Sequence, residues 1–130
     1  MKIRQLTIAT GAVAAAGVMA FGTALPAMAA SGQVYSTGAA ARSLFNDQND
    51  AVTACDRSPN GKAAVAFIQV KQADGSWLQR GWVVDGNANG DNNCVSDVVN
   101  VNREGAALRL YSCESANGVL SNCEYAVLPG

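Results

Sequence analysis

The sequence predicts an all-β fold: a small single-domain sandwich or barrel of about six or seven antiparallel strands, braced by two disulfides. Three observations carry this expectation. Segments rich in Val, Ile, Phe, Tyr and Trp recur about every 10 residues. Clusters of Gly, Asn, Asp and Pro separate them, and four cysteines stand in a chain of 130 residues.

Before the first strand comes MKIRQLTIATGAVAAAGVMAFGTALPAMA, in which Lys2 and Arg4 precede an apolar run that ends at Pro26 and the triplet Ala27-Met28-Ala29. A basic start, an apolar middle and an A-x-A end predict a secretory signal peptide over 1–29. The rival is a membrane anchor, because the run approaches the roughly 20 residues that span a bilayer. Pro26 and the small-residue triplet favour cleavage, which leaves a single secreted domain over 30–130 and no membrane attachment.

Along that domain, QVYS (33–36) reads as an edge strand, and AAARSLFNDQNDA (39–51) lets a short helix compete with a strand or loop. AVTAC (51–55) is the next strand, followed by the turn SPNG (58–61). In AAVAFIQVK (63–71), alternation sets Ala64, Ala66, Ile68 and Val70 on a core face, with Val65, Phe67, Gln69 and Lys71 on the other. Phe67 is large enough to pack as well. ADG (73–75) turns the chain into SWLQRGWVV (76–84), and CVSDVVNV (94–101), AALRLYSC (106–113) and CEYAVL (123–128) complete the set, with REG (103–105) as a turn.

Cleavage removes Lys2 and Arg4, leaving seven basic against ten acidic residues and a net charge near −3. A weakly acidic chain offers no electrostatic footprint for nucleic acid or an anionic membrane. Cys55, Cys94, Cys113 and Cys123 all follow the leader, and an even count in a small exported chain predicts two disulfides. Of three possible pairings we favour Cys113 with Cys123, closing a short loop, and Cys55 with Cys94, tying distant segments. Each contributes about 2 to 4 kcal/mol by restricting the unfolded chain. Zinc is disfavoured, since there is neither a C-x-x-C pair nor any histidine.

The stretch VVDGNANGDNNCVSD (83–97) opens like a calcium loop. Asp85, Asn87, Asn89 and Gly90 hold the first, third, fifth and sixth places; Asp91 offers a carbonyl and Asn93 a water-bridged contact. The twelfth place, where a bidentate glutamate belongs, is Ser96, and the flanks read as strands. A connection between strands is therefore the preferred reading, with weak calcium binding as its alternative and no other cofactor implied.

Catalysis finds little support. Without histidine no Ser-His-Asp or Cys-His arrangement can form, and disulfides consume the thiols. Asp85, Asp91, Asp97 and Glu114 are carboxylates that a glycosidase would need in pairs, but solvation explains such acids better. GNANG lacks the lysine and helix of a phosphate loop.

A binding surface is the better expectation. Trp77 and Trp82, five apart, fall on opposite faces of a regular strand. One then belongs to the core, and Trp77, beside Gln79 and with Arg80 nearby, is the candidate recognition aromatic. A bulge at Gly81 would swap the assignment, exposing Trp82 instead. The Ala-rich leader, the Ala54-Cys55-Asp56 triplet and two cysteines near the C-terminus resemble small two-disulfide secreted proteins of actinobacteria with no characterised function. That resemblance brings no catalytic residue with it. The sequence thus predicts a non-enzymatic extracellular binding domain for a protein or glycan partner, an inhibitor or cell-surface accessory, with a calcium-binding module at Asp85 as the alternative.

Overall fold

The computed structural model describes residues 31–101 and 105–130. Residues 1–29, expected to be a signal peptide, and Arg103 and Glu104 of the REG turn lie outside the described residues; among the described residues no helix is long and apolar enough to cross a membrane. Eight strands follow in order: β1 Gly32–Tyr35, β2 Ala41–Asn46, β3 Ala51–Asp56, β4 Ala63–Lys71, β5 Trp77–Asp85, β6 Val95–Val98, β7 Leu108–Ala116 and β8 Val119–Leu128. They form two four-stranded antiparallel sheets, β1-β2-β3-β6 (sheet A) and β5-β4-β7-β8 (sheet B). The architecture is the predicted sandwich with two disulfides, and the strands number eight where six or seven were expected.

The added strand is β2, where helix and strand competed. Ala41, Ser43 and Phe45 are buried and alternate with half-buried Arg42 and Leu44, a period of two that only an extended chain provides. β8 also starts earlier than expected. Asn117 and Gly118, at φ 53° and 77°, form a two-residue turn of the kind that matches strand twist, so β7 and β8 are one long hairpin. β6 is shorter than predicted: Val99 and Val101 leave the ladder and enter the core.

The inner faces meet as the alternation in β4 predicts. Ala64, Ala66, Ile68 and Val70 are all buried and pack with Phe45, Val52, Leu108 and Leu110 between the sheets. At a general value of about 1.5 to 3 kcal/mol per fully buried large aliphatic side chain, these residues supply the main stabilisation. The favoured disulfide pairings are present: Cys55–Cys94 spans 39 residues and Cys113–Cys123 spans 10. The first fastens the loop after β5 to sheet A, and the second crosses between the neighbouring strands β7 and β8.

Candidate functional site: the outer face of sheet B

Sheet B is apolar on both sides. Side chains directly opposite in adjacent antiparallel strands share a face, so the register sets the outer surface residue by residue. Gln79, Gln69, Arg109 and Val127 form one row across β5, β4, β7 and β8. In the next row Phe67 faces Tyr111, and Tyr111 faces Tyr125. Trp82 joins that row from β5.

The position of Trp82 depends on Gly81. Ala66 pairs with Val83 but Ile68 pairs with Arg80, so β5 carries an extra residue opposite Phe67. Gly81 absorbs it at φ 72°, a left-handed conformation that costs glycine little. A side chain there would also collide with the core, since its Cβ would fall 2.5 Å from Val99 Cγ2. The bulge therefore corrects the expectation of opposite faces: Trp77, Gln79, Trp82 and Val84 all point outward, and neither tryptophan belongs to the inter-sheet core. Arg80, paired with Ile68, is left on the other side of β5 and exposed.

The outward aromatics form a stacked rank. Ring centroids are 5.5 Å apart for Trp82 and Phe67, 4.6 Å for Phe67 and Tyr111, and 5.1 Å for Tyr111 and Tyr125. The first two pairs lie within 14° and 9° of parallel, and the third is tilted by 34°. Phe67 is covered by its neighbours, whereas Trp82 and Tyr125 at the two ends are each 49% exposed. Val84 and Val127 extend the apolar area beside them. Trp77 lies beyond the Gln row, with the Arg109 guanidinium 4.0 Å from its ring centroid and 5.0 Å from that of Tyr125. Exposed large aromatics beside an arginine are the usual anchors of an interface.

Sequence reasoning named Trp77, Gln79 and Arg80 but missed Phe67, Arg109, Tyr111 and Tyr125 as a group. The available signal was that β4, β5, β7 and β8 are apolar at outward as well as inward positions, which a one-sided sandwich sheet is not.

The Asp85 loop is built differently. Asp85 is buried; its Oδ2 accepts the Asp56 N–H at 2.9 Å and its Oδ1 the Asn87 N–H at 3.0 Å. Asp91 faces Arg42 Nη1 at 3.1 Å and Arg57 Nε at 3.5 Å. Gly90 N–H donates to the Asp56 carbonyl at 3.2 Å, and Asn89 N–H to that of Asn87. Asn87, Asn89 and Asn93 are exposed. These contacts, together with the Cys55–Cys94 bridge, tie the loop to sheet A, and they engage both of its carboxylates, Asp85 with backbone amides and Asp91 with two guanidiniums. Among the described residues, the one group of three potential ligand side chains within 4.8 Å is Cys55, Asp91 and Cys94, whose two sulfurs are bonded to each other.

The other carboxylates lie on both sheets. Asp97 is exposed on β6. Glu114 is buried, and its two oxygens accept from Asn60 and Asn122 side chains at 2.7 Å each. Asp56 is buried near Asp85 and Glu114. Burial holds its carboxyl above the ordinary value, the Ser58 N–H works against that, and the two neighbouring carboxylates add to it. An open cleft of about 440 Å³ beside it is lined by Ser58, Lys62, Gly86 and Asn117 among others. No protein-family model, no curated protein and no solved structure matches the chain.

Proposed function

We propose that the chain is a non-enzymatic, exported interaction domain whose partner is a protein that docks on the outer face of sheet B. One observation carries this reading: a stacked aromatic rank crosses all four strands on the side of the sheet that faces away from the core. Burying Trp82, Tyr125, Val84 and Val127 in a partner supplies a hydrophobic centre, and Gln69, Gln79 and Arg109 supply a polar border, the usual anatomy of a protein interface.

A protein suits this face better than a glycan. Sugars stack on the open face of an aromatic ring, and here the faces of Phe67 and Tyr111 are turned toward other rings. Export is supported by the leader and by two disulfides, which persist in oxidising compartments. The calcium module at Asp85 has no comparable support, because Asp85 and Asp91 already serve backbone amides and arginines.

The test is a pull-down from culture supernatant and cell wall of the organism that encodes the chain, using the parent and a Trp82→Ala, Tyr125→Ala double variant. Proteins held by the parent and lost by the variant support the reading. A retained set that the double variant leaves unchanged sinks it.

A further inference from the structure

Among the described residues, cations lie over aromatic rings in two places, which differ in one component. On the sheet A side, Arg57 and Arg42 lie 5.0 and 6.0 Å from the Tyr35 ring centroid, and both guanidiniums pair with the Asp91 carboxylate. On the outer face of sheet B, Arg109 and Lys71 lie 4.0 and 6.0 Å from the Trp77 ring centroid. There the same construction is made without an acid among the described residues. No Asp or Glu is among the outward residues of β4, β5, β7 and β8, although acidic residues outnumber basic ones in the chain.

The carboxylate nearest in sequence to Lys71 and Trp77, that of Asp74 in the β4–β5 turn, accepts from Ser76 N and Oγ at 2.9 and 2.6 Å. Arg109 itself makes one long hydrogen bond, Nη1 to Gln69 Oε1 at 3.5 Å, and among the described residues it has no ion pair. Contacts with the Trp77 and Tyr125 rings hold the guanidinium in place, so little side-chain freedom is lost when it takes an anion.

Resting on the docking reading above, we infer that the partner presents a peptide carboxylate, from Asp or Glu, next to an apolar or aromatic side chain. The carboxylate lies on Arg109 and Lys71 at the Trp77 end of the face, and the apolar side chain lies on the aromatic rank. Charge complementarity selects the acid, since a fork of guanidinium donors matches two carboxylate oxygens. Gln79, exposed in the adjoining row, supplies an amide to the peptide backbone, and the inward-turned ring faces favour peptide over sugar.

The experiment selects a displayed library of random dodecapeptides on the oxidised protein. The best sequence is then synthesised and titrated against the parent, Arg109→Gln, Arg109→Lys and Trp82→Ala. Enriched sequences carry Asp or Glu beside an aromatic or apolar residue. Arg109→Gln weakens binding about tenfold or more, as expected for losing a charge-assisted pair, and Arg109→Lys restores part of it. Changing the peptide acid to its amide has the same effect, and after that change Arg109→Gln costs nothing further, which holds the test even for a poorly folding protein variant. Neutral or basic peptides that need Trp82 but ignore Arg109 overturn this inference and leave the docking face intact. Peptides indifferent to both Trp82 and Arg109 overturn both readings. Tighter retention of polygalacturonate than of any acidic peptide overturns the peptide class.

Discussion

Phe67 and Tyr111 face each other across β4 and β7 at 4.6 Å between ring centroids and within 9° of parallel, outside the sandwich core. This pair forms the middle of the rank that ends at Trp82 and Tyr125, and the middle and the ends have different duties. Phe67 is 6% exposed and holds the rank together, so Phe67→Ala destabilises the fold by about 3 kcal/mol or more. Trp82→Ala removes a half-exposed ring and costs about 1 kcal/mol. Urea unfolding of both variants checks the contrast; equal losses would mean that the exposed ends are structural too.

Gly81 sets which way the second tryptophan points. Gly81→Ala forces a side chain into left-handed backbone and against Val99, at a cost of about 2 kcal/mol or more. The Trp82 fluorescence environment should change with it, because relief of the strain requires the bulge to shift. A variant with unchanged stability and emission would show that the bulge does not depend on glycine.

The two disulfides should differ in worth. With its ends 39 positions apart, Cys55–Cys94 is expected to add about 4 kcal/mol, against about 3 kcal/mol for Cys113–Cys123, whose ends are 10 positions apart. Paired Cys→Ser variants of each bridge, compared by thermal melt, test the order. Loss of the first also frees the loop that Asp91 anchors, so hydrogen exchange over residues 86–94 should accelerate in that variant alone.

Asp56 makes stability depend on pH. Its folded pKa is raised, so its favourable contribution is complete below the unfolded value and is lost as pH rises through the folded one. Asp56→Asn keeps an oxygen for the Ser58 N–H and removes the charge. Relative to the parent, its urea midpoint should therefore rise as pH increases from below the ordinary carboxyl range, about pH 4, to well above it. A difference that is constant over this range contradicts the assignment.

Calcium should leave the melting midpoint of the oxidised protein where it stands in EDTA, because the Asp85 and Asp91 carboxylates are already satisfied. Asp85→Ala should lower it in both media, by about 2 kcal/mol or more of stability, since the Asp56 and Asn87 amides lose their acceptor. A calcium-dependent rise that vanishes in Asp85→Ala would restore the metal loop.

Much of the fold was legible because burial on one side writes itself as alternation. β4 was bounded as observed, and its inward set was named correctly. The β7–β8 hairpin was less visible, although Asn117-Gly118 is its signal, because half-polar SCESANGVLSN lacks the apolar alternation of a strand. The outer aromatic face was hidden for a different reason. A one-residue bulge reverses the side of every residue after it, and neither the bulge at Gly81 nor the register joining Phe67, Tyr111 and Tyr125 can be read from a single strand. The Asp85 loop shows the converse: a local motif suggested a ligand, and the pairing of distant residues, Asp56 and Arg42, turned its acids to structural use.

The central claim is that partners meet the outer face of sheet B. It is tested most directly by placing the photocrosslinker p-benzoylphenylalanine at Val127, 57% exposed beside the rank, and separately at Val98, 68% exposed on β6 of the other sheet. Irradiation in the native extracellular mixture should give a discrete protein adduct from Val127 that is lost with Trp82→Ala, and none from Val98. An adduct from Val98, with none from Val127, would place the interaction on sheet A and contradict the account.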